Sequence, residues 1–362
     1  MARVHNYYAG PAALPLEVLE ETRDEIMEFR GSGVSVMETS HRSKEYDALH
    51  NETIEMFGAL VGLGDNFKVL LLQGGASLQF AMVPMNLLGG PRSADYILTG
   101  SWSKKALKEA KLFGSTRIAA TTEKDGVFTS IPKQDDLDLD PKAIYCHITS
   151  NNTIFGTQYR QFPNTGEVPL VGDMSSDILS RQFDPAPFGI IYAGAQKNLG
   201  PSGVTVVAIR NDVLEKCNKN IATMLSYQIH AENNSLYNTP PCLAIYILHK
   251  VLNWTKKQGG VARLEKTNQA KGKLIYGAID GSRGFYKCPV EKNSRSLMNV
   301  VFRLPSEDLE KKFVADGLAA GFLGLKGHRD VGGIRVSMYN ANGVDSIRDM
   351  TNFMNDFAAK NG

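Results

Sequence analysis

The chain is poor in cysteine. Only Cys146, Cys217, Cys242 and Cys288 occur, far apart and with no Cys-x-x-Cys pair. That scatter argues against a disulfide scaffold or a structural zinc site, and it fits reduced thiols in a cytoplasmic protein. Long apolar runs are also missing. No uninterrupted stretch approaches the ~18 residues of a membrane span, and residues 1–15 carry a single Arg3 and no apolar signal-peptide core. Charge of one sign is lacking too: 40 Lys and Arg against 38 Asp and Glu leave +2. A chain so balanced has no global field for nucleic acid or an anionic membrane, so any anionic ligand must be held by local groups. Internal repeats and low-complexity tracts are absent, which sets aside solenoids and flexible tails.

What remains is an ordinary globular composition, 43% apolar and 22% charged, over 362 residues. Single cores stop growing at roughly 250–300 residues, so a large domain with a smaller one is expected. Short β-branched or aliphatic runs at 68–72, 94–98, 116–122, 143–148, 168–172, 189–193 and 204–210 alternate with helical or irregular stretches. This rhythm predicts an α/β fold with a largely parallel seven-stranded sheet. Helices are expected at 16–29, 44–60, 78–88 and 242–256, with Gly31 and Gly33 as breakers. Gly259-Gly260 is the best candidate boundary, dividing a large domain over 16–258 from a small α+β domain over 259–362 that also takes in residues 1–15. In that second part the pattern predicts helices near 261–278, 306–320 and 344–360 and strands near 298–303 and 333–338.

In open α/β sheets ligands lie beyond the carboxyl ends of the strands. The residues that follow the runs are markedly polar: Gln73-Gly74-Gly75-Ala76-Ser77, Gly100-Ser101-Trp102, Ser150-Asn151-Asn152-Thr153, Asp173-Met174-Ser175 and Gly194-Ala195-Gln196-Lys197. Gly74 to Ser77 opening a helix offers free N–H groups and a positive helix end, suited to a phosphate monoester, although a glycine turn between strand and helix is also routine. It matches neither the P-loop nor G-x-G-x-x-G spacing. Lys197, after an apolar strand and before Asn198-Leu199-Gly200-Pro201, reads either as a snorkelling loop lysine or as an amine whose pKa is lowered by burial for Schiff-base chemistry. Asp173 reads as a turn cap or as the partner of a protonated pyridine nitrogen. Trp102, one of two tryptophans, reads as core or as a stacking surface for a flat ring. Arg335, inside the apolar strand Ile334-Arg335-Val336-Ser337-Met338, is harder to read as a solvated residue than the pair His41-Arg42 or the pair His328-Arg329.

Taken together, four segments resemble the phosphoserine aminotransferases. Residues 193–203 read Ala-Gly-Ala-Gln-Lys-Asn-Leu-Gly-Pro-Ser-Gly, 172–177 Gly-Asp-Met-Ser-Ser-Asp, 151–157 Asn-Asn-Thr-Ile-Phe-Gly-Thr and 6–11 Asn-Tyr-Tyr-Ala-Gly-Pro. The resemblance runs from Asn6 to the C-terminal helix. It implies a fold type I pyridoxal 5'-phosphate enzyme of the class V aminotransferases, a homodimer with shared active sites, a seven-stranded mainly parallel sheet in the large domain and a small α+β domain. The implied reaction moves the amino group of L-glutamate to 3-phosphohydroxypyruvate in L-serine biosynthesis, with the phosphorylated threonine analogue of pyridoxine biosynthesis as a further substrate in some members.

By the same resemblance Lys197 carries the cofactor, Asp173 pairs with its ring nitrogen, Trp102 stacks on the ring, and Thr153 lies against the ring hydroxyl with Ser175 nearby. Ala76, Ser77 and Gln196 hold the phosphate, joined by Asn238 and Thr239 of the partner chain. Arg335 takes the substrate α-carboxylate. His41, Arg42, His328 and Arg329 take the distal phosphate or the γ-carboxylate of glutamate, some of them across the dimer. Some members carry Arg where this chain has Ser77, so that contact must come from elsewhere or be absent. Two same-fold alternatives are a cysteine desulfurase, for which Cys288 is the only late candidate nucleophile, and a glyoxylate or pyruvate aminotransferase, against which the basic groups at 41–42 and 328–329 argue. A nonenzymatic phosphate-binding module built on Gly74 to Ser77 is the alternative from another class.

Overall fold

The computed structural model describes residues 3–362. Seven strands form the central sheet: β1 (Phe67–Leu72), β2 (Ala94–Leu98), β3 (Thr116–Thr121), β4 (Cys146–Thr149), β5 (Leu170–Asp173), β6 (Phe188–Gly194) and β7 (Thr205–Arg210). Their order is β1-β7-β6-β5-β4-β2-β3. β7 runs antiparallel to both β1 and β6, and the other neighbours are parallel. Every residue of β6 is buried, as expected of a strand covered on both faces. One apolar cluster lies on each side of the sheet. Ile191, Ala193 and Ile148 belong to the first, Ile190, Tyr192 and Val171 to the second, so alternate residues along β6 feed opposite layers.

The helices of ten residues or more in this part are α1 (Leu16–Glu25), α2 (Lys44–Val61), α3 (Gly75–Leu87), α4 (Ser101–Ala110) and α5 (Cys242–Lys257). α1 is shorter than the periodicity predicts. Its apolar pattern continues to Phe29, but the chain leaves the helix after Glu25 and turns through Arg30, Gly31 and Gly33, all at positive φ. β4 begins later than the apolar run at 143, because residues 140–143 form a turn closed by the Ala143 N–H on the Asp140 carbonyl.

Beyond Gly259 come α6 (Gly260–Gly281), α7 (Glu307–Ala319) and α8 (Val344–Asn361), with β8 (Asn299–Phe302) and β9 (Ile334–Ser337) paired antiparallel. Gly259 and Gly260 have φ of +91° and +76° and make a tight corner between α5 and α6 rather than a linker. A third apolar cluster gathers Ile275, Phe302, Phe313, Val336 and Phe357, and Tyr7 belongs to it. The N-terminal segment reaches this cluster through a short parallel pairing of His5–Asn6 with Phe322–Leu323. Met1 and Ala2, included in the expected small domain, lie outside the described residues. No helix among those residues is long and apolar enough to cross a membrane.

Candidate active site

The carboxyl ends of β1, β2, β4, β5 and β6 open into one cavity of about 540 Å³. Among its lining residues are Ala76, Ser77, Trp102, Thr153, Asp173, Ser175, Gln196, Lys197, His328 and Arg335. Residues distant in sequence converge because parallel strands all present their carboxyl ends on one edge of the sheet.

At one end of the cavity α3 starts. Gly74 precedes it with φ +85°, and a Cβ there would stand 2.6 Å from that of Leu78. Glycine is therefore required both for the backbone and for the close approach. The first-turn N–H groups of Gly75, Ala76 and Ser77 have no acceptor among the described residues, which leaves a positive helix end facing the cavity.

Deeper in, Asp173 ends β5 in register with Thr149 and Tyr192. Burial pushes its carboxyl pKa up, while the positive charge of Lys197 and the Ser175 N–H, which donates to Oδ1 at 3.0 Å, pull it back. Lys197 follows β6 in a turn. Burial lowers its pKa to about 8, opposed by Asp173 and assisted by the charge of Arg335. No hydrogen-bond acceptor lies against its amine among the described residues, and the Ala195 carbonyl is taken by the N–H groups of Lys197 and Gly200.

Trp102, in the first turn of α4, donates from Nε1 to Thr153 Oγ1 at 3.0 Å. The Thr153 carbonyl in turn accepts from Arg335 Nη1 at 3.1 Å. Thr153 thus fixes both the indole and the guanidinium, and Arg335 Nε is left buried without a partner. Its guanidinium stays charged even though burial lowers its pKa. The pKa of His328 is lowered by burial, against the pull of Asp330.

His41, Arg42, Arg329, Asn238 and Thr239 do not line this cavity. Arg42 is exposed just ahead of α2, the Arg329 side chain is 91% exposed beside Asp330, and Thr239 is exposed. Asn238 lines a separate cavity of about 150 Å³ with Gln73 and Pro240. Cys288 sits partly buried against the third cluster, away from the cavity.

Ala9, Gly10 and Pro11, to which the sequence pattern gives no individual role, line the cavity too. The Ala12 N–H donates to the Gln196 carbonyl at 2.9 Å, and a Cβ on Gly10 would lie 3.7 Å from side-chain carbons of Gln196 and Lys197. The signal was the Gly10-Pro11 turn so near the N-terminus. Asn151, another residue missed, donates to Ser176 Oγ and Asn299 Oδ1, each at 2.8 Å.

The donor set suits a pyridoxal phosphate: unpaired N–H groups at a helix end for a phosphate, an indole lining the cavity that a flat ring could stack on, a buried carboxylate and a lysine with a lowered pKa. Among the described residues no group of three or more His, Cys, Asp or Glu is arranged to hold a metal ion.

The family model for class-V aminotransferases matches residues 4–350. The phosphoserine aminotransferase of Lysinibacillus sphaericus is 56% identical over 358 residues, 99% of either chain. A solved phosphoserine aminotransferase from Bacillus circulans subsp. alkalophilus superposes with a TM-score of 0.97 at 52% identity, covering 99% of both chains. A PLP-bound phosphoserine aminotransferase from Trichomonas vaginalis superposes with a TM-score of 0.93 at 37% identity, covering 98% of this chain and 100% of that one.

Proposed function

The chain belongs to the class-V aminotransferases, and from that premise we propose that it moves the amino group of L-glutamate to 3-phosphohydroxypyruvate, giving O-phospho-L-serine and 2-oxoglutarate. It is a pyridoxal-phosphate-dependent transferase with a fold type I architecture. The observation that carries the reading is the convergence of Lys197, Asp173, Trp102 and Arg335 in one cavity, with the open end of α3 beside them.

Pyridoxal phosphate, when bound, supplies a carbonyl that takes up the amino group and a protonated ring that withdraws electrons from the substrate Cα. Lys197 would hold the cofactor through its neutral amine, and that amine, when free, would move the proton at the substrate Cα. Asp173 keeps the ring nitrogen protonated. Trp102 would cover one ring face and exclude water from it, with Thr153 and Ser175 available beside the ring. The first turn of α3, through Ala76 and Ser77, and Gln196 hold the phosphate, completed by Asn238 and Thr239 of a second copy. Arg335 grips the α-carboxylate in a bidentate pair. His41, Arg42, His328 and Arg329 meet the distal phosphate or the γ-carboxylate, which gives a substrate with two anionic ends two cationic receptors. Ser77 brings no charge to that end.

We take the assembly as a homodimer; five of the assigned binding residues (His41, Arg42, Asn238, Thr239 and Arg329) lie outside their own chain's cavity, which supports a second copy as the source of some of them. The large domain spans 16–258; the small domain takes residues 1–15 and 259–362 and carries Arg335 into the cleft. The enzyme works in the cytoplasm, in L-serine biosynthesis. Product analysis with glutamate and phosphohydroxypyruvate tests the reading: phosphoserine and 2-oxoglutarate should form in equal amounts. Equal turnover of hydroxypyruvate without its phosphate would overturn the substrate assignment.

A further inference from the structure

Lys271 of α6 is fully buried, yet no carboxylate pairs with it among the described residues. Its ammonium donates to three main-chain carbonyls, Met338 and Tyr339 and Asn342, at 2.8, 2.9 and 2.9 Å. Three acceptors match the three N–H donors of the charged form, which holds the proton although burial pushes the pKa down to about 7. All three carbonyls belong to the turn that joins β9 to α8. Burying an ammonium costs much more than burying an apolar side chain. A lysine here therefore asks for an explanation beyond filling space.

The same turn is gripped from the cofactor side. The Asn340 N–H donates to Asn198 Oδ1 at 2.9 Å, and Asn198 follows Lys197 directly. Asn340 Nδ2 donates to the Leu179 carbonyl at 2.9 Å, and Asn268 Nδ2 bridges Asn340 Oδ1 and the Ser180 carbonyl at 2.9 and 2.8 Å. Tyr339 donates its hydroxyl to the Ala9 carbonyl at 2.7 Å, and Ala9 lines the cavity. Three residues ahead of Met338, on β9, stands Arg335.

We propose that Lys271 is a positioning residue for the transamination: by clamping the 338–342 turn it sets Arg335 on one side of the cavity against Lys197 on the other. The turn is the one short segment that is continuous with the strand bearing Arg335 and bonded to the residue after Lys197. A shift of the turn moves the carboxylate receptor relative to the amine that handles the Cα proton. The inference rests on the roles given above to Lys197 and Arg335.

The test uses Lys271→Met and Asn340→Ser in the holoenzyme. Asn340→Ser removes the side-chain bonds of Asn340 to Leu179 and Asn268 while leaving Lys271 in place, so it tests the position of the turn if Lys271→Met fails to fold. Displacement of about 1 Å at a reacting pair costs up to about 100-fold in rate. We expect kcat/KM for L-glutamate to fall about 10- to 100-fold, with KM rising as well as kcat falling. The pH titration of the bound cofactor's visible absorbance should shift by about half a unit, since the surroundings of Lys197 change. A lowered unfolding temperature with KM, kcat and the absorbance titration all at wild-type values would show a purely structural role and overturn the proposal. Wild-type turnover, measured alongside, separates the two claims: an inactive wild-type protein refutes the functional reading, whereas an active one with unaltered variants refutes only the role of Lys271.

Discussion

At the level of single residues the site depends on two groups whose ionisation burial opposes. Lys197 has its pKa lowered to about 8, so its amine is half neutral near that pH and about one-tenth neutral at pH 7. The neutral amine is the nucleophile. Protein stripped of cofactor should therefore capture pyridoxal phosphate about tenfold more slowly at pH 7 than on a plateau above pH 9, which stopped-flow absorbance would follow. The sign is set by the direction of the shift: an amine at its ordinary value of 10.5 would still be gaining rate above pH 9. Asp173 is opposed by the same burial. Asparagine cannot hold a proton on the ring nitrogen, so Asp173→Asn should lower kcat by about 100- to 1000-fold, equivalent to ~3–4 kcal/mol of barrier. Absorbance spectra of the purified variant should still show bound cofactor.

Among the secondary-structure elements, the opening of α3 is the most constrained. Gly74→Ala would put a methyl group on a left-handed residue and against Leu78, costing at least the ~1–2 kcal/mol of the conformation alone. Cofactor affinity measured by titration should fall about tenfold or more, while the central sheet keeps its far-ultraviolet spectrum. The strand runs were legible because β-branched residues bounded by glycine and polar turns mark buried parallel strands, and the polar residues after them marked the cavity edge. The end of α1 was less so: its apolar periodicity runs on to Phe29, while the helix ends at Glu25, ahead of the turn through positive φ at Arg30 and Gly31. Ala9 to Pro11 closing over Lys197, and Lys271 bonded to a turn 67 or more residues away, depend on long-range packing that no local pattern encodes.

For the whole molecule, the near-zero net charge conceals local cationic groups. Arg335 and His328 face the cavity, while His41, Arg42 and Arg329 do not. In the proposed reading a second copy supplies what one chain leaves out. Mixed dimers of Lys197→Ala and Arg42→Ala chains test this: a site with a wild-type lysine on one chain and a wild-type Arg42 on the other is intact. Random exchange of two inactive parents should restore about a quarter of wild-type activity, since half the dimers are mixed and each holds one intact site of two. Activity that never exceeds that of the parents would place Arg42 in the same chain as the Lys197 it serves and contradict a shared site.

The most direct measurement of the central claim follows the bound cofactor's absorbance through the two half-reactions. L-Glutamate alone should convert the coloured protein to the amine form of the cofactor with release of one 2-oxoglutarate per site. Phosphohydroxypyruvate should then restore the colour, and glyoxylate or unphosphorylated hydroxypyruvate should do so poorly. Colour restored as readily by glyoxylate as by the phosphorylated acid, or a protein that glutamate leaves unchanged, would contradict the account.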